Sequence, residues 1–333
     1  MEFFDNHTKL FSTAFLLFLI LTLFVAIVPA INNDRNNAPL PGEEILSDAA
    51  VKGKALFIAN GCVACHTQQV RNVEMDKMWG KRPSLAADYA SNLRIDLWRN
   101  TATLMGTERT GPDLTSVGTR QPSKEWNLVH LFNPRIVVKE SVMPAYPWLF
   151  EFKTKVSKED VVVSIPEKYT QGEGILVATK EALQLVAYLQ SLKQTELPNA
   201  QATSFLYKKE LKAQGESDEA AVGPDGSALY ATHCQACHQA NGEGLKGAFP
   251  ALKGSPVVMD ENPELMLNII INGYDARAEF GVMPAVGKNS DLKPEELAAI
   301  MNHERSSWGN NARKVTPAEV QKLMETIRNL PIQ

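Results

Sequence analysis

All four cysteines of the 333-residue chain fall in two short stretches, Cys62-Val63-Ala64-Cys65-His66 and Cys234-Gln235-Ala236-Cys237-His238. C-x-x-C-H is the attachment signature of c-type haem, and its spacing has a physical reason. On a helical turn, residues three apart share a face, so both thiols of a pair reach the two vinyl groups of one porphyrin. The histidine that follows turns its ring over the porphyrin plane and ligates the iron. Zinc is the competing chemistry, but it needs further ligands at zinc-like spacing, and no cysteine remains outside the two motifs. The sequence therefore predicts two covalently bound haem c groups, one on Cys62, Cys65 and His66, the other on Cys234, Cys237 and His238.

The sixth iron ligand has to come from elsewhere. The chain has ten methionines, and a methionine in an apolar stretch usually fills a core gap. Met143 and Met283 differ, because each sits in Val-Met-Pro-Ala late in its half of the chain. A loop stiffened by proline presents a thioether without forfeiting helix hydrogen bonds. His66 with Met143, and His238 with Met283, are the expected iron ligands. Met105 is the alternative in the first half, and Met259 or Met266 in the second. His130, His233 and His303 have ligand chemistry too, but read as surface or propionate-side residues. With both irons six-coordinate, no catalytic residue is expected.

These motifs need elements to position them, and the chain supplies them twice. Residues 49–60 have helical character and end at the first motif; Gly53-x-x-Leu56-Phe57 precedes Cys62 much as Gly226-x-x-Leu229-Tyr230 precedes Cys234, with Gly61 as one extra residue. Trp126 to Phe132 reads as a short amphipathic helix, Val161 to Val163 as a short strand, and Thr179 as the cap of a helix with a stripe of Leu183, Val186, Leu189 and Leu192. Trp79, Tyr89 and Trp98 lie in the insertion after His66 and read as ordinary core aromatics, with packing over the haem edge as the alternative. Thr316-Pro317-Ala318-Glu319 is a capping box with proline at the first helical position, opening a helix with Val320, Leu323, Met324, Ile327 and Leu330 inward. The pattern is an internal repeat of one small helical unit with a long insertion in the first copy. It divides the chain into an anchor (1–33), a tether (34–48), a first unit (49–193), a linker (194–225), whose Phe205, Leu206 and Tyr207 suit a helical docking piece, and a second unit (226–333).

Leu10 to Ile31 carries no charge and is long enough to span the roughly 30 Å of bilayer hydrocarbon. A cleaved signal peptide is the rival reading, with Val28-Pro29-Ala30 as its site. The apolar stretch exceeds the roughly 7–15 residues of a signal core, and Glu2 and Asp5 outnumber Lys9, so a retained transmembrane anchor is expected. The net charge of −4 argues against a nucleic-acid partner. Charge is uneven: Ala50 to Lys193 holds 19 Lys+Arg against 14 Asp+Glu, and Gly223 to Gln333 holds 10 against 13. That suits a basic first unit facing an anionic membrane and an acidic second unit meeting a basic donor.

Ile300 to Asn310 (IMNHERSSWGN) is similar to the penultimate-helix signature of class I cytochromes c. Gly61 to Arg71 (GCVACHTQQVR), Glu108 to Arg120 (ERTGPDLTSVGTR) and Leu131 to Leu149 (LFNPRIVVKESVMPAYPWL) resemble the membrane-anchored monohaem subunit, subunit II, of cbb3-type haem-copper oxidases. That resemblance covers the anchor and most of residues 51–193; the second cytochrome unit departs from it. It implies a mainly α fold, one N-terminal transmembrane helix followed by two class I cytochrome c domains. Pro112 and Pro250 would accept a hydrogen bond from the rings of His66 and His238. The implied partners are a membrane-embedded haem-copper oxidase catalytic subunit and a soluble electron donor such as a cytochrome c. The implied place is a bacterial inner membrane, with the haem units on the periplasmic side. A nitric oxide reductase cytochrome subunit and a dihaem peroxidase are the alternative readings.

Overall fold

The computed structural model describes residues 2–36, 46–89, 103–170, 174–196, 205, 223–277 and 279–328. Most of the expected linker, with Leu206 and Tyr207, lies outside them, as do Trp98, Leu330 and much of the tether; Phe205 is placed and buried.

The apolar N-terminal run is helical from His7 to Asn33, 27 residues, or roughly 40 Å at about 1.5 Å per residue. Its side chains find no protein core: Phe11, Phe15, Phe18 and Phe24 are each more than 60% exposed, a surface suited to lipid rather than water. Thr22–Ile27 widens to a π-helical turn just ahead of Pro29. Proline has no N–H and crowds the preceding turn, and such a local widening absorbs both.

The first unit is built on a helix crossing. Ser47 caps the helix Asp48–Ala59 by accepting from the Ala50 N–H, and Thr179 caps Lys180–Ser191 by accepting from the Ala182 N–H. The two pack so closely that a Cβ on Gly53 would stand 1.9 Å from the Gln184 carbonyl oxygen. Phe57 meets Tyr188 edge-on at 5.4 Å. The second unit repeats the device: Gly226, opening the helix Gly226–His233, leaves 2.2 Å between a Cβ and the Ala299 carbonyl of the helix Pro294–Ser306. The glycines of the internal repeat thus serve the same crossing in both halves.

Between its two helices the first unit carries more than the sequence reading anticipates. Val161–Val162 (β2) is the edge of a three-stranded antiparallel sheet whose centre is Ile175–Ala178 (β3) and whose other edge is Phe150–Lys153 (β1), with Phe150 opposite Ala178 and Lys153 opposite Ile175. The buried face of Lys180–Ser191 is Ala182, Leu185, Val186, Tyr188 and Leu189, rotated from the expected stripe because strict three-residue spacing drifts around a 3.6-residue helix. In the C-terminal helix Pro317–Arg328, Thr316 accepts from the Glu319 N–H, but the Glu319 carboxylate turns to Arg313 at 2.6 Å instead of closing a box.

A first core gathers Phe57, Leu128, Val129, Leu185 and Tyr188; a second gathers Tyr230, Leu267, Leu297, Ile300, Met301 and Val320. Ala248 and Phe249, from the second half of the chain, belong to the first core. In Gly53→Ala the added methyl meets backbone, which cannot rotate away, so the helices must separate. The expected cost is about 1–3 kcal/mol, as for overpacking in general. A lowered thermal midpoint of the detergent-solubilised chain, relative to the exposed change Lys52→Ala, checks it.

Candidate haem-attachment site

Both C-x-x-C-H stretches form the helical turns that their spacing demands. In the first, Gly61 takes a left-handed φ of 70° and ends the preceding helix, so that Cys62–Ala64 starts a new turn in a new direction. The Cys65 and His66 N–H groups both donate to the Cys62 carbonyl, at 3.2 and 3.0 Å. In the second, the helix runs straight to Cys234, and Cys237 and His238 donate to its carbonyl at the same two distances. No disulfide joins the four cysteines, and Cys62 and Cys234 are buried.

Each histidine is then oriented from behind. His66 Nδ1 lies 2.8 Å from the Pro112 carbonyl oxygen, and His238 Nδ1 lies 3.0 Å from that of Pro250. A carbonyl only accepts, so Nδ1 carries the hydrogen in both rings and Nε2 keeps a lone pair for a metal. Burial holds both imidazoles below the ordinary histidine range, outweighing these hydrogen bonds, which favours the neutral, ligating form. The His66 ring fits because residue 111 is glycine: a Cβ there would stand 2.3 Å from His66 Cε1.

The chain returns from His66 to Pro112 over a long excursion pinned by buried charge. Asp113 accepts from Thr67 Oγ1 at 2.6 Å, from the Gln69 N–H at 2.8 Å and from the Thr115 N–H at 2.9 Å. Asp76 takes Arg71 and Arg109, at 2.8 and 2.6 Å. Burial alone would raise the Asp76 carboxyl, but hydrogen bonds from Arg71 and Arg109 outweigh it and hold the group down to about 2. From His238 to Pro250 the return is short. It is braced by the Tyr230 hydroxyl donating to the Gln239 carbonyl at 2.7 Å and the Trp308 Nε1–H donating to Ala240 at 2.9 Å.

The two turns open on one cavity of about 920 Å³, at the upper end of the roughly 300–1,000 Å³ usual for ligand sites. His66, Met143, His238 and Met283 all line it. Met283 is fixed by two backbone hydrogen bonds with Tyr274, at 3.0 and 2.9 Å, and the Met143 carbonyl accepts from Arg135 at 3.2 Å. Met105 and Met259 lie away from the cavity on the exposed surface. Met266 reaches it from inside the helix Glu264–Asn272, and Met78, unremarked in the sequence, lines it too.

Several cavity residues escaped the sequence reading. Arg120 lies over Trp79, 5.0 Å from the ring centroid, so that Trp79 belongs to the cavity wall. Burial pushes Arg120 down to about 10 against the pull of the Asp113 carboxylate, still a cation at neutral pH; its Nη2 donates to the Asp113 carbonyl at 2.6 Å, while its Nε has no hydrogen-bond partner among the described residues. Gln121 Oε1 and His130 Nδ1 are likewise buried without partners. His130 is not a surface residue: it lines the cavity and stacks on Trp126 at 4.5 Å, and burial lowers it to about 4. His233 also lines the cavity, whereas His303 packs with Tyr230 and Trp308. Glu304 borders the cavity beside Cys234, its carboxyl pushed up to about 8 by burial. An apolar cavity with paired thiols, metal-ready imidazoles and a buried guanidinium whose Nε–H has no partner among the described residues fits a porphyrin, which is apolar across its face and anionic at its propionates. Only residue type marked these side chains in advance, since their convergence is long-range.

Gly111→Ala should push the His66 ring off its axis and lower haem retention in the first site alone, read as a fall in the pyridine haemochrome yield with the second site unchanged. A second expectation concerns acid. Asp76 is depressed in the fold, so its contribution of roughly 2 kcal/mol is present above the unfolded value near 4 and is lost as pH falls towards 2. Asp76→Asn should lower stability at pH 7 and flatten the acid limb of a urea-midpoint series.

The sequence also matches known proteins. Residues 1–168 match the family described as cytochrome c oxidase, mono-heme subunit/FixO, and residues 221–303 match cytochrome c oxidase, cbb3-type, subunit III. Cytochrome c-552 of Thermus thermophilus is 37% identical over 111 residues, 30% of this chain and 83% of that protein. The cytochrome c subunit of the quinone-dependent alcohol dehydrogenase of Gluconacetobacter polyoxogenes is 37% identical over 105 residues, 30% of this chain. The fructose dehydrogenase cytochrome subunit of Gluconobacter japonicus is 32% identical over 114 residues, 32% of this chain. The chain spans only 22% and 24% of the lengths of these two dehydrogenase subunits. The first match takes in the apolar helix, the Cys62–His66 turn and the Pro112 and Met143 loops, and runs over half of the sequence: the chain belongs to the mono-haem subunit (FixO) family of the cytochrome c oxidases, whose attachment motif binds haem c covalently.

Proposed function

We propose that this protein is a membrane-tethered dihaem cytochrome c that takes electrons from a soluble donor at its C-terminal site and passes them from its N-terminal site to the catalytic subunit of a cbb3-type oxidase. The observation that carries this reading is the repeated frame: two attachment turns, each with its histidine tied through Nδ1 to a proline carbonyl, open on one cavity that Met143 and Met283 also line. The N-terminus lies on the cytoplasmic side of a bacterial inner membrane and both sites lie on the periplasmic side, where this kind of haem attachment takes place.

A bound haem c supplies a one-electron ferric/ferrous couple. The residues of the chain set the conditions for it. The N–H bonds from His66 and His238 to Pro112 and Pro250 fix ring tautomer and direction, and make Nε2 a stronger donor. Met143 and Met283 supply thioethers, which raise the potential relative to a second imidazole and suit delivery to an oxygen-reducing centre. Arg120, buried with its Nε–H unpartnered among the described residues, would offer a propionate a charged hydrogen-bond donor. With His66 and Met143, and His238 and Met283, holding the two irons, no position would be left open for a substrate, and the chain would carry electrons only.

A double change, Cys62→Ala with His66→Ala, should leave a chain with one haem by pyridine haemochrome, and Cys234→Ala with His238→Ala likewise. Affinity purification of the intact chain should bring down a haem-copper catalytic subunit that reduces oxygen. A count that stays at two in either double variant, or purification with a partner that reduces nitric oxide and not oxygen, would refute the reading.

A further inference from the structure

The two sites do not face away from one another, and the helix Lys124–Phe132 makes one of the contacts between them. Lys124–Phe132 stands in the wall of the first site, with His130 lining the shared cavity. Trp126, one turn earlier, stacks on His130 with centroids 4.5 Å apart and planes 11° from parallel. The Trp126 indole N–H donates to the Ala236 carbonyl at 3.2 Å, and Ala236 stands between the two cysteines of the second attachment turn. Beside it, Gln121 Nε2 lies 3.7 Å from Cys237 Sγ. The other support of His238, the Phe249-Pro250 loop, is clamped as well, since Phe249 is buried in the first core. Asn289 adds a third pin, donating to the Thr119 carbonyl at 3.0 Å.

We infer that Trp126 is the positioning residue that couples the two sites, holding the second attachment turn against the wall of the first so that electrons cross a fixed, packed contact. The inference rests on the dihaem reading above. The exchange moves one electron: the iron of the second site goes from ferrous to ferric, that of the first from ferric to ferrous, and no bond or proton changes hands. Trp126 suits the task because its ring packs on one unit while its N–H bonds the other, an indole property that phenylalanine shares only in part. A flexibly strung pair of units would instead have to find each other by diffusion before each transfer.

The test uses the full-length chain in detergent. Haems per chain are counted first, and then the second site is reduced by a photoexcited flavin and electron equilibration with the first is followed at several glycerol concentrations. In the native protein the rate should be first-order and insensitive to viscosity. Trp126→Ala, which loses both stack and hydrogen bond, should slow it about tenfold or more, equivalent to ~1.4 kcal/mol on the barrier, and make it viscosity-dependent. Trp126→Phe keeps the stack and should fall between the two without viscosity dependence, which guards against misfolding in the alanine variant. Magnetic dipolar coupling between the two ferric irons should weaken in Trp126→Ala and persist in Trp126→Phe. Two haems with an unchanged rate and coupling in Trp126→Ala, or a native rate that falls with viscosity, overturns the inference and leaves the dihaem reading standing. One haem per native chain overturns both.

Discussion

The structure depends on one hydrogen bond made twice, from a histidine Nδ1–H to a proline carbonyl. It decides which nitrogen carries the proton and where the other nitrogen aims, and everything nearby is arranged to deliver that carbonyl. In the second unit the carbonyl comes from 12 residues downstream, in the first from 46. The short return needs only a tight turn and two aromatic braces. The long one would be a floppy loop if left to itself, and the chain fixes its feet with Asp113 at the carbonyl end and the Arg71–Asp76–Arg109 cluster along the way. Buried carboxylates of this kind are costly unless fully partnered. Here each is surrounded by guanidinium, hydroxyl or backbone donors, so the cost is offset and the loop is held to one conformation.

Much of this frame is legible in the sequence, for reasons that are local. The attachment turns follow from cysteine spacing, the helix start at Thr179 from a hydroxyl cap, and the N-terminal apolar helix from an uncharged apolar run; the Ser47 cap is not read from the sequence. Pro112 and Pro250 are named by the family resemblance rather than by any local pattern. The sheet was less legible. β1 and β3 are four residues each, and their pairing brings Phe150 to Ala178 across a separation that no local pattern encodes. The same holds for the shared cavity. Trp126 and His130 look like any aromatic pair on an amphipathic helix, and only the packed structure shows one of them bonded to Ala236, 110 residues away.

His130 shows where side-chain chemistry misleads. A histidine near the end of a short helix usually reads as a solvated or capping residue, favoured there by the helix dipole. In the fold that end points inward: the half-buried ring lines the cavity, and its surroundings keep it neutral at pH 7. Polarity on a helix face predicts exposure only when the opposite face has a core to itself; here Leu128, Val129, Leu131 and Phe132 meet the core while Trp126 and His130 line the cavity.

Phe249 has a consequence for how the molecule holds together. By chain order it belongs to the second unit, yet its ring is sealed inside the first core, where a fully buried aromatic contributes on the order of 2 kcal/mol or more. The boundary of the repeat is therefore not the boundary of the cooperative unit. Melting of the second unit withdraws a core side chain from the first, and melting of the first leaves Phe249 standing bare in water, so each half lends stability to the other. Such coupling makes two tandem modules behave as one folding domain. It also sets a limit on modular inheritance: once a duplicated cytochrome has lent a ring to its neighbour's core, the pair can no longer be separated at the linker without loss to both.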